Sequence, residues 1–377
     1  MSQLDTLIVK FASPCNLACT YCYEYALGDE TWRQKPKQIT EKTIHALTAR
    51  IVEYGETTGT KEINIVAHGG EPLLLGHDKL DKIFSMIRSE SAPVNIRFSL
   101  QTNGILLSPK ISKLLARHEV TVGVSLDGGE THNKRRVDHK GRSTYDRVIS
   151  GIQNLALTPG ARFGGILCVI DLQHDPNEII NQLCSLNPTS IDLLQPFISH
   201  DFAADKRVEI ANNFGDWMCR AMHAWISEPK FSKIRIRVLE DALKASITRK
   251  PTTDWFGPRN TSYLVIETDG NYDLLDQLKA IGPTSSLIRY LGRNLYDCSL
   301  DEATGLARRL LAEFEGDKLP DDCEKCRWND VCAGGHLPAR YSEVKKFNNR
   351  SVYCEGIFAL FEYAHQKMSK QLDQVDF

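Results

Sequence analysis

No apolar run in this chain approaches the ~20 residues needed to cross a bilayer, so no membrane-spanning helix is expected. The opening stretch MSQLDTLIVKFAS has no basic region, apolar core or cleavage site, which argues against a secretion signal. Charge of one sign is also lacking. The net charge is −2 and the pI about 6.6, so nothing points to a nucleic-acid or anionic-membrane partner. No internal repeat or low-complexity tract stands out. Otherwise the composition is ordinary, with 42% hydrophobic and 25% charged residues. A length of 377 residues allows a full-size core and a smaller second module. Cysteine is the abundant exception. Eleven cysteines without a secretion signal point to a reducing, cytoplasmic setting and to metal rather than disulfides.

The cysteines fall into groups. Cys15, Cys19 and Cys22 sit in SPCNLACTYCYEY, at spacings that packing cysteines seldom adopt. Zinc sites more often show C-x2-C pairs and four ligands. Three thiolates at these gaps suit a cubane iron–sulfur cluster held through three irons, with the fourth left open for another ligand. Cys323, Cys326 and Cys332 form a second group in CEKCRWNDVC, with Cys354 following in SVYCEG. Cys168, Cys184 and Cys219 lie in apolar surroundings and read as core, and Cys298 has no neighbouring partner.

Short apolar runs alternate with helical patterns. LIVKFA, EINIVAH, VNIRFSLQ, VTVGVSL, FGGILCVI and SIDLLQPFI read as strands. Between them, Ile44, Leu47, Ile51 and Val52 share a helix face, as do Leu80, Ile83, Phe84 and Ile87, and Val148, Ile149, Ile152 and Leu155. Six β–α units predict a parallel sheet covered by helices, an incomplete (β/α)6 barrel with its active site at the strands' C-terminal ends. The first cysteine group follows the first strand. Residues 1–204 are expected to form this barrel, 205–260 a helical bridge and linker, and 261–377 a module that opens on a hairpin turning at Asp269-Gly270. A final helix is expected from about Tyr353 to Gln371.

In order along the β–α pattern stand C-x3-C-x-Y-C, then HGGEP (His68 to Pro72), QTNG (Gln101 to Gly104) and SLDGG from Ser125. Together these resemble the radical S-adenosylmethionine (SAM) enzymes over the N-terminal two-thirds. The resemblance implies a SAM-binding [4Fe-4S] cluster on Cys15, Cys19 and Cys22. It implies that Gly69, Gly70, Glu71 and Pro72 hold the methionine end of SAM, with Glu71 on the ammonium. Tyr21 and the Tyr23 backbone match adenine-packing positions, and Ser125 and Arg136 match positions that hold the ribose and carboxylate. Asn103 is a further candidate.

The C-terminal part resembles the SPASM extension of peptide-modifying members, which normally carries seven cysteines for two further clusters. Here Cys323, Cys326, Cys332 and Cys354 suffice for one auxiliary [4Fe-4S] cluster, with zinc the alternative for the same four. His336 and Leu275 stand where further cysteines are expected, and residues 254–260 contain none.

Phrases such as YALGDETWRQKP, HGGEPLLLG and CAGGHLPARY look like the branch that forms three-residue cyclophanes in ribosomally made peptides. That implies hydrogen abstraction from a β-carbon, addition of the carbon radical to an aromatic ring, and loss of a proton and an electron. Asp276 matches the base position of formylglycine-forming relatives. His336 and Arg340 are expected at the peptide. The expected partners are a precursor peptide and a donor such as flavodoxin or ferredoxin. The cysteine loop begins too early to leave room for a preceding peptide-recognition domain. The alternatives are a sulfatase-maturing, formylglycine-forming enzyme, a thioether-forming or epimerising maturase, and a non-catalytic cluster- or zinc-binding protein.

Overall fold

The computed structural model describes residues 3–201, 204–256, 262–282, 289–316 and 318–372. The predicted strands form in order: β1 Thr6–Ala12, β2 Glu62–Gly69, β3 Asn95–Thr102, β4 Thr121–Ser125, β5 Arg162–Val169 and β6 Ser190–Leu194. β7 is the short pair Arg235–Ile236; β8, β9 and β10 are Tyr263–Ile266, Asn271–Asp273 and Tyr290–Asn294.

Two compact units divide the chain. The first comprises residues 1–126, 133–165 and 260–310. Its strand order is β10-β9-β8-β1-β2-β3-β4. β1 to β4 pair in parallel, each with the next. β8 runs parallel to β1 on its other side, with Thr6 opposite Tyr263. β9 then turns back antiparallel at Gly270, whose φ of +87° suits glycine in the tight turn predicted there. The sheet is therefore mixed. Helices α1 Glu41–Thr58, α2 His77–Glu90, α3 Pro109–Arg117 and α4 Tyr145–Ala156 connect the strands. α1 starts where Thr40 caps the Thr43 amide, and it buries Ile44, Leu47 and Ile51 as the apolar spacing predicts.

The second unit comprises residues 127–132, 166–259 and 311–377. The latter half of β5 pairs in parallel with β6, and β6 with β7. Helices Ala204–Ser227, Arg237–Thr248 and Cys354–Leu372 pack here. Two of them approach closely because Gly215 faces Gly356, where an added Cβ would meet the opposite backbone. Trp255 and Phe256, in the stretch expected to be linker, are buried. Residues 257–261 of that stretch lie outside the described residues, and so do 373–377. Among the described residues no helix is long and apolar enough to cross a membrane.

Candidate active site and cysteine clusters

The cysteine loop leaves the C-terminal end of β1 and is pinned on both sides. The Ala18 and Thr20 amides donate to the carbonyls of Val137 and Arg135, at 2.8 and 3.1 Å. On the other side it presses on the end of β2. A Cβ on Gly69 would strike the carbonyl oxygen of Ala12, and one on Gly70 would strike Pro14 and the Tyr25 hydroxyl. Gly69 also has a φ of +137°, which side chains rarely adopt. The paired glycines let β2 pass directly beneath the loop.

Glu71 is fully buried and its carboxylate takes three donors. It caps the short turn Pro72–Leu75 by accepting from the Leu73 amide, with Pro72 at the first helical position. It also accepts from Thr102 Oγ1 and from the Asn103 amide, each at 2.8 Å. Burial pushes its pKa up to about 7, against those hydrogen bonds and the charge of Arg136. Asn103 Nδ2 donates to Asn16 Oδ1 at 2.7 Å and approaches Cys15 Sγ at 3.7 Å. Arg136 donates to the Tyr21 hydroxyl at 2.8 Å, and Arg135 lies over the Tyr21 ring. Ser125 Oγ accepts from Gln101 at 2.9 Å. The positions expected around SAM, drawn from four strand ends, thus lie within the first unit.

Sequence reasoning missed a network of buried charge beside them. Lys10, in β1, is 1% exposed. Its Nζ donates to Asp276 Oδ2 at 2.5 Å and to Glu24 Oε2 at 3.3 Å, and lies 3.4 Å from His68 Nδ1. Tyr23 donates its hydroxyl to the same Asp276 oxygen at 2.8 Å. Lys279 pairs with Glu24, Glu267 and Asp276, and Lys35 pairs with Glu267. Lys10, Lys35 and Lys279 meet Glu24, Glu267 and Asp276, with Arg289 3.9 Å from Glu267. Burial would raise the Asp276 pKa, but Lys10 and Lys279 hold it well below the usual carboxylate range. Burial and the charge of Lys10 push His68 down to about 3, so its ring is neutral. The signal available in the sequence was a lysine inside the apolar run LIVKFA, since a charge in a strand covered on both faces needs partners.

In the second unit, burial pushes the Cys332 thiol up to about 12, and Cys354, Cys323 and Cys326 push the same way, which marks the four as neighbours. The guanidinium of Arg340 opposes the rise at Cys323. The Trp328 amide donates to Cys326 Sγ at 3.5 Å. Arg340, expected at the peptide, is fully buried; its donors reach the carbonyls of Phe347, Asn349 and Glu315. It joins the stretch around residues 347–349, which lies between Cys332 and Cys354, to Glu315. His336 is also buried, with its ring 5.9 Å from that of Phe197. Leu275 is 4% exposed, an apolar side chain in the core where the SPASM pattern has a cysteine.

Both cysteine groups suit iron–sulfur clusters. In the first, burial pushes Cys15 up to about 12 and Cys22 to about 11, and Cys19 raises both. Thiols in such a setting need a cationic centre to ionise. Among the described residues no three His, Cys, Asp or Glu side chains converge on one metal-ion position. A cubane does not ask for that, because each thiolate binds a separate iron.

A family model described as the radical SAM superfamily matches residues 9–158. A serine-type anaerobic sulfatase-maturating enzyme of Klebsiella aerogenes is 30% identical, over 94% of this chain and 84% of that protein. The cysteine-type anaerobic sulfatase-maturating enzyme of Clostridium perfringens (strain 13) is 24% identical, over 98% of both chains. The solved structure of native anSMEcpe with bound AdoMet and the Cp18Cys peptide superposes with a TM-score of 0.81 at 21% identity, covering 98% of this chain and 99% of that one. The chain belongs to the radical SAM superfamily. It is an enzyme of the radical SAM α/β fold, and its cofactors are a [4Fe-4S] cluster and SAM. The cyclophane branch expected from sequence phrases gains no support from these relatives; the formylglycine-forming alternative does.

Proposed function

We propose that this enzyme oxidises a cysteine or serine side chain of a bound peptide segment to the aldehyde of formylglycine. The observation that carries the reading is Asp276, a carboxylate delivered from the C-terminal part of the sequence to the hydroxyl of Tyr23, the residue after Cys22. The near-full-length similarity to serine-type and cysteine-type sulfatase-maturating enzymes supports it.

Cys15, Cys19 and Cys22 would hold the SAM-binding cluster, and Gly69 to Pro72, Tyr21, Tyr23, Asn103, Ser125 and Arg136 would line the SAM site. When bound, the two cofactors supply a 5′-deoxyadenosyl radical that takes one hydrogen atom from the substrate β-carbon. For a serine, the aldehyde then requires loss of one proton and one electron. A cysteine loses the same and gives a thioaldehyde, which water converts to the aldehyde with release of sulfide.

Asp276 takes the proton. Its Oδ2 already accepts from Lys10 and Tyr23, whereas Oδ1 accepts no hydrogen bond among the described residues, although Lys279 lies 3.1 Å away. Oδ1 is the accepting oxygen. After electron loss the intermediate is a protonated carbonyl, a strong acid, so a weak base suffices provided it is ionised and aimed. Cys323, Cys326, Cys332 and Cys354 would hold an auxiliary cluster able to accept the electron. The substrate partner is a peptide or protein segment, and a low-potential electron carrier is the second partner.

The test is reaction of the reconstituted enzyme, SAM and reductant with peptides that each carry a single Cys or Ser. The expected product reacts with a hydrazide. A product that has lost two hydrogens yet is inert to hydrazide would favour a crosslink, a cyclophane from a Ser peptide or a cyclophane or thioether from a Cys peptide, over formylglycine.

A further inference from the structure

Lys10 stands at the centre of the buried charge network, opposite His68 and two residues before the last pair of β1 with β2. An ammonium has three N–H donors and no acceptor. Here three acceptors surround it: Asp276 Oδ2 at 2.5 Å, Glu24 Oε2 at 3.3 Å and His68 Nδ1 at 3.4 Å. Because lysine only donates, His68 must accept at Nδ1, which places the imidazole proton on Nε2. The contacts come from three separate elements: the cysteine loop, the end of β2 and the turn after β9.

We propose that Lys10 is a positioning residue for the proton-accepting step: it aims the Asp276 carboxylate, keeps it ionised and fixes the His68 tautomer. The inference rests on the assignment of Asp276 as base. Oδ2 is taken by Lys10 and the Tyr23 hydroxyl, so the carboxylate cannot rotate without breaking both bonds, and Oδ1 is left to accept. The other charged or titratable groups facing Asp276 are Lys279 on Oδ1, His68, Glu24 and Glu267. Lys279 also lowers the Asp276 pKa, but it makes no hydrogen bond to the carboxylate, whereas Lys10 donates directly to Oδ2 and so aims it. Protonating Asp276 would leave excess positive charge in a buried cluster, so the ionised form persists across the working pH range.

The measured quantity is oxidised peptide formed per deoxyadenosine, from pH 6 to 9, in the reconstituted enzyme. In the wild type this ratio is expected to be flat. In Lys10→Met the Asp276 pKa rises, so the ratio is expected to fall on the acid side, by up to about tenfold per pH unit below the new pKa. Lys10→Arg keeps the charge and misplaces it. Its ratio is expected to stay flat in pH at a reduced level, and it carries the test if Lys10→Met is not recovered folded. A ratio in Lys10→Met that is unchanged, or lowered equally at every pH, would overturn the proposal. So would a pH-dependent ratio in Lys10→Arg. A second readout is independent of catalysis. In thermal unfolding of the same holoenzymes, the double variant Lys10→Met/Asp276→Asn should lose less than the sum of the two single variants. Additive losses would remove the pairing on which the inference stands. A wild-type enzyme that releases deoxyadenosine and never yields an aldehyde would instead defeat the functional reading, with the unfolding cycle still deciding whether Lys10 and Asp276 are coupled.

Discussion

A Cβ on Gly70 would clash with the carbonyl group of Pro14. The second glycine of HGGEP therefore answers first to the cysteine loop lying across it, and any contact it makes with SAM is additional.

Gly70→Ala is expected to lift the loop off the end of β2. Overpacking of this kind destabilises by about 1–3 kcal/mol. The melting temperature should fall, and iron bound by Cys15, Cys19 and Cys22 should fall further than iron bound by the second group. Equal retention of both clusters would show that the loop relaxes freely around the added methyl.

Replacing Cys15, Cys19 and Cys22 together by Ala should abolish deoxyadenosine formation and leave the iron of the second unit in place. Iron, sulfide and nucleoside assays on one preparation check this. Continued SAM cleavage by the triple variant would refute the assignment of the first cluster.

The ligand count leads to two cubanes, about eight irons per chain after anaerobic reconstitution. About twelve irons would require ligands beyond the seven cysteines named. One cluster with one zinc would make the C-terminal cysteines structural and would remove the electron-acceptor role from them.

Asp276→Asn keeps the shape of the side chain and removes its basicity. Deoxyadenosine should still form in the presence of peptide, because hydrogen abstraction precedes proton loss. Oxidised peptide should fall by roughly 10²–10⁴-fold, the usual range for a positioned general base. Mass spectrometry of the peptide and chromatography of the nucleoside in the same tube give both quantities. Parallel loss of the two would assign Asp276 to peptide binding or to the fold.

Much of the barrel could be read from the sequence because its determinants are local. Short apolar runs placed β1 to β6 to within a few residues. The cysteine spacing and the Gly-Gly-Glu-Pro phrase marked a candidate site, because both lie at strand ends. What could not be read depends on residues far apart in the chain. Nothing near Tyr263 announces that it will lie beside Thr6, and nothing near Lys279 announces Glu24. Arg340 misled for a related reason. An arginine in a glycine-rich loop reads as exposed, whereas this one is enclosed by the carbonyls it holds.

The position of β8 beside β1 bears on how the enzyme is made. A ribosome releases the cysteine loop, Glu71 and Arg136 long before it releases Glu267, Asp276 and Lys279. Until those last residues emerge, β1 presents an open edge, Lys35 lacks Glu267, and Lys10 and Glu24 have each other but neither Asp276 nor Lys279. Tyr23, in the cysteine loop, meets Asp276 only once the later part of the chain has folded back onto β1. Loading of a cluster on Cys15, Cys19 and Cys22 before β8 has docked would take place beside Lys10 and Tyr23 while both still lack Asp276.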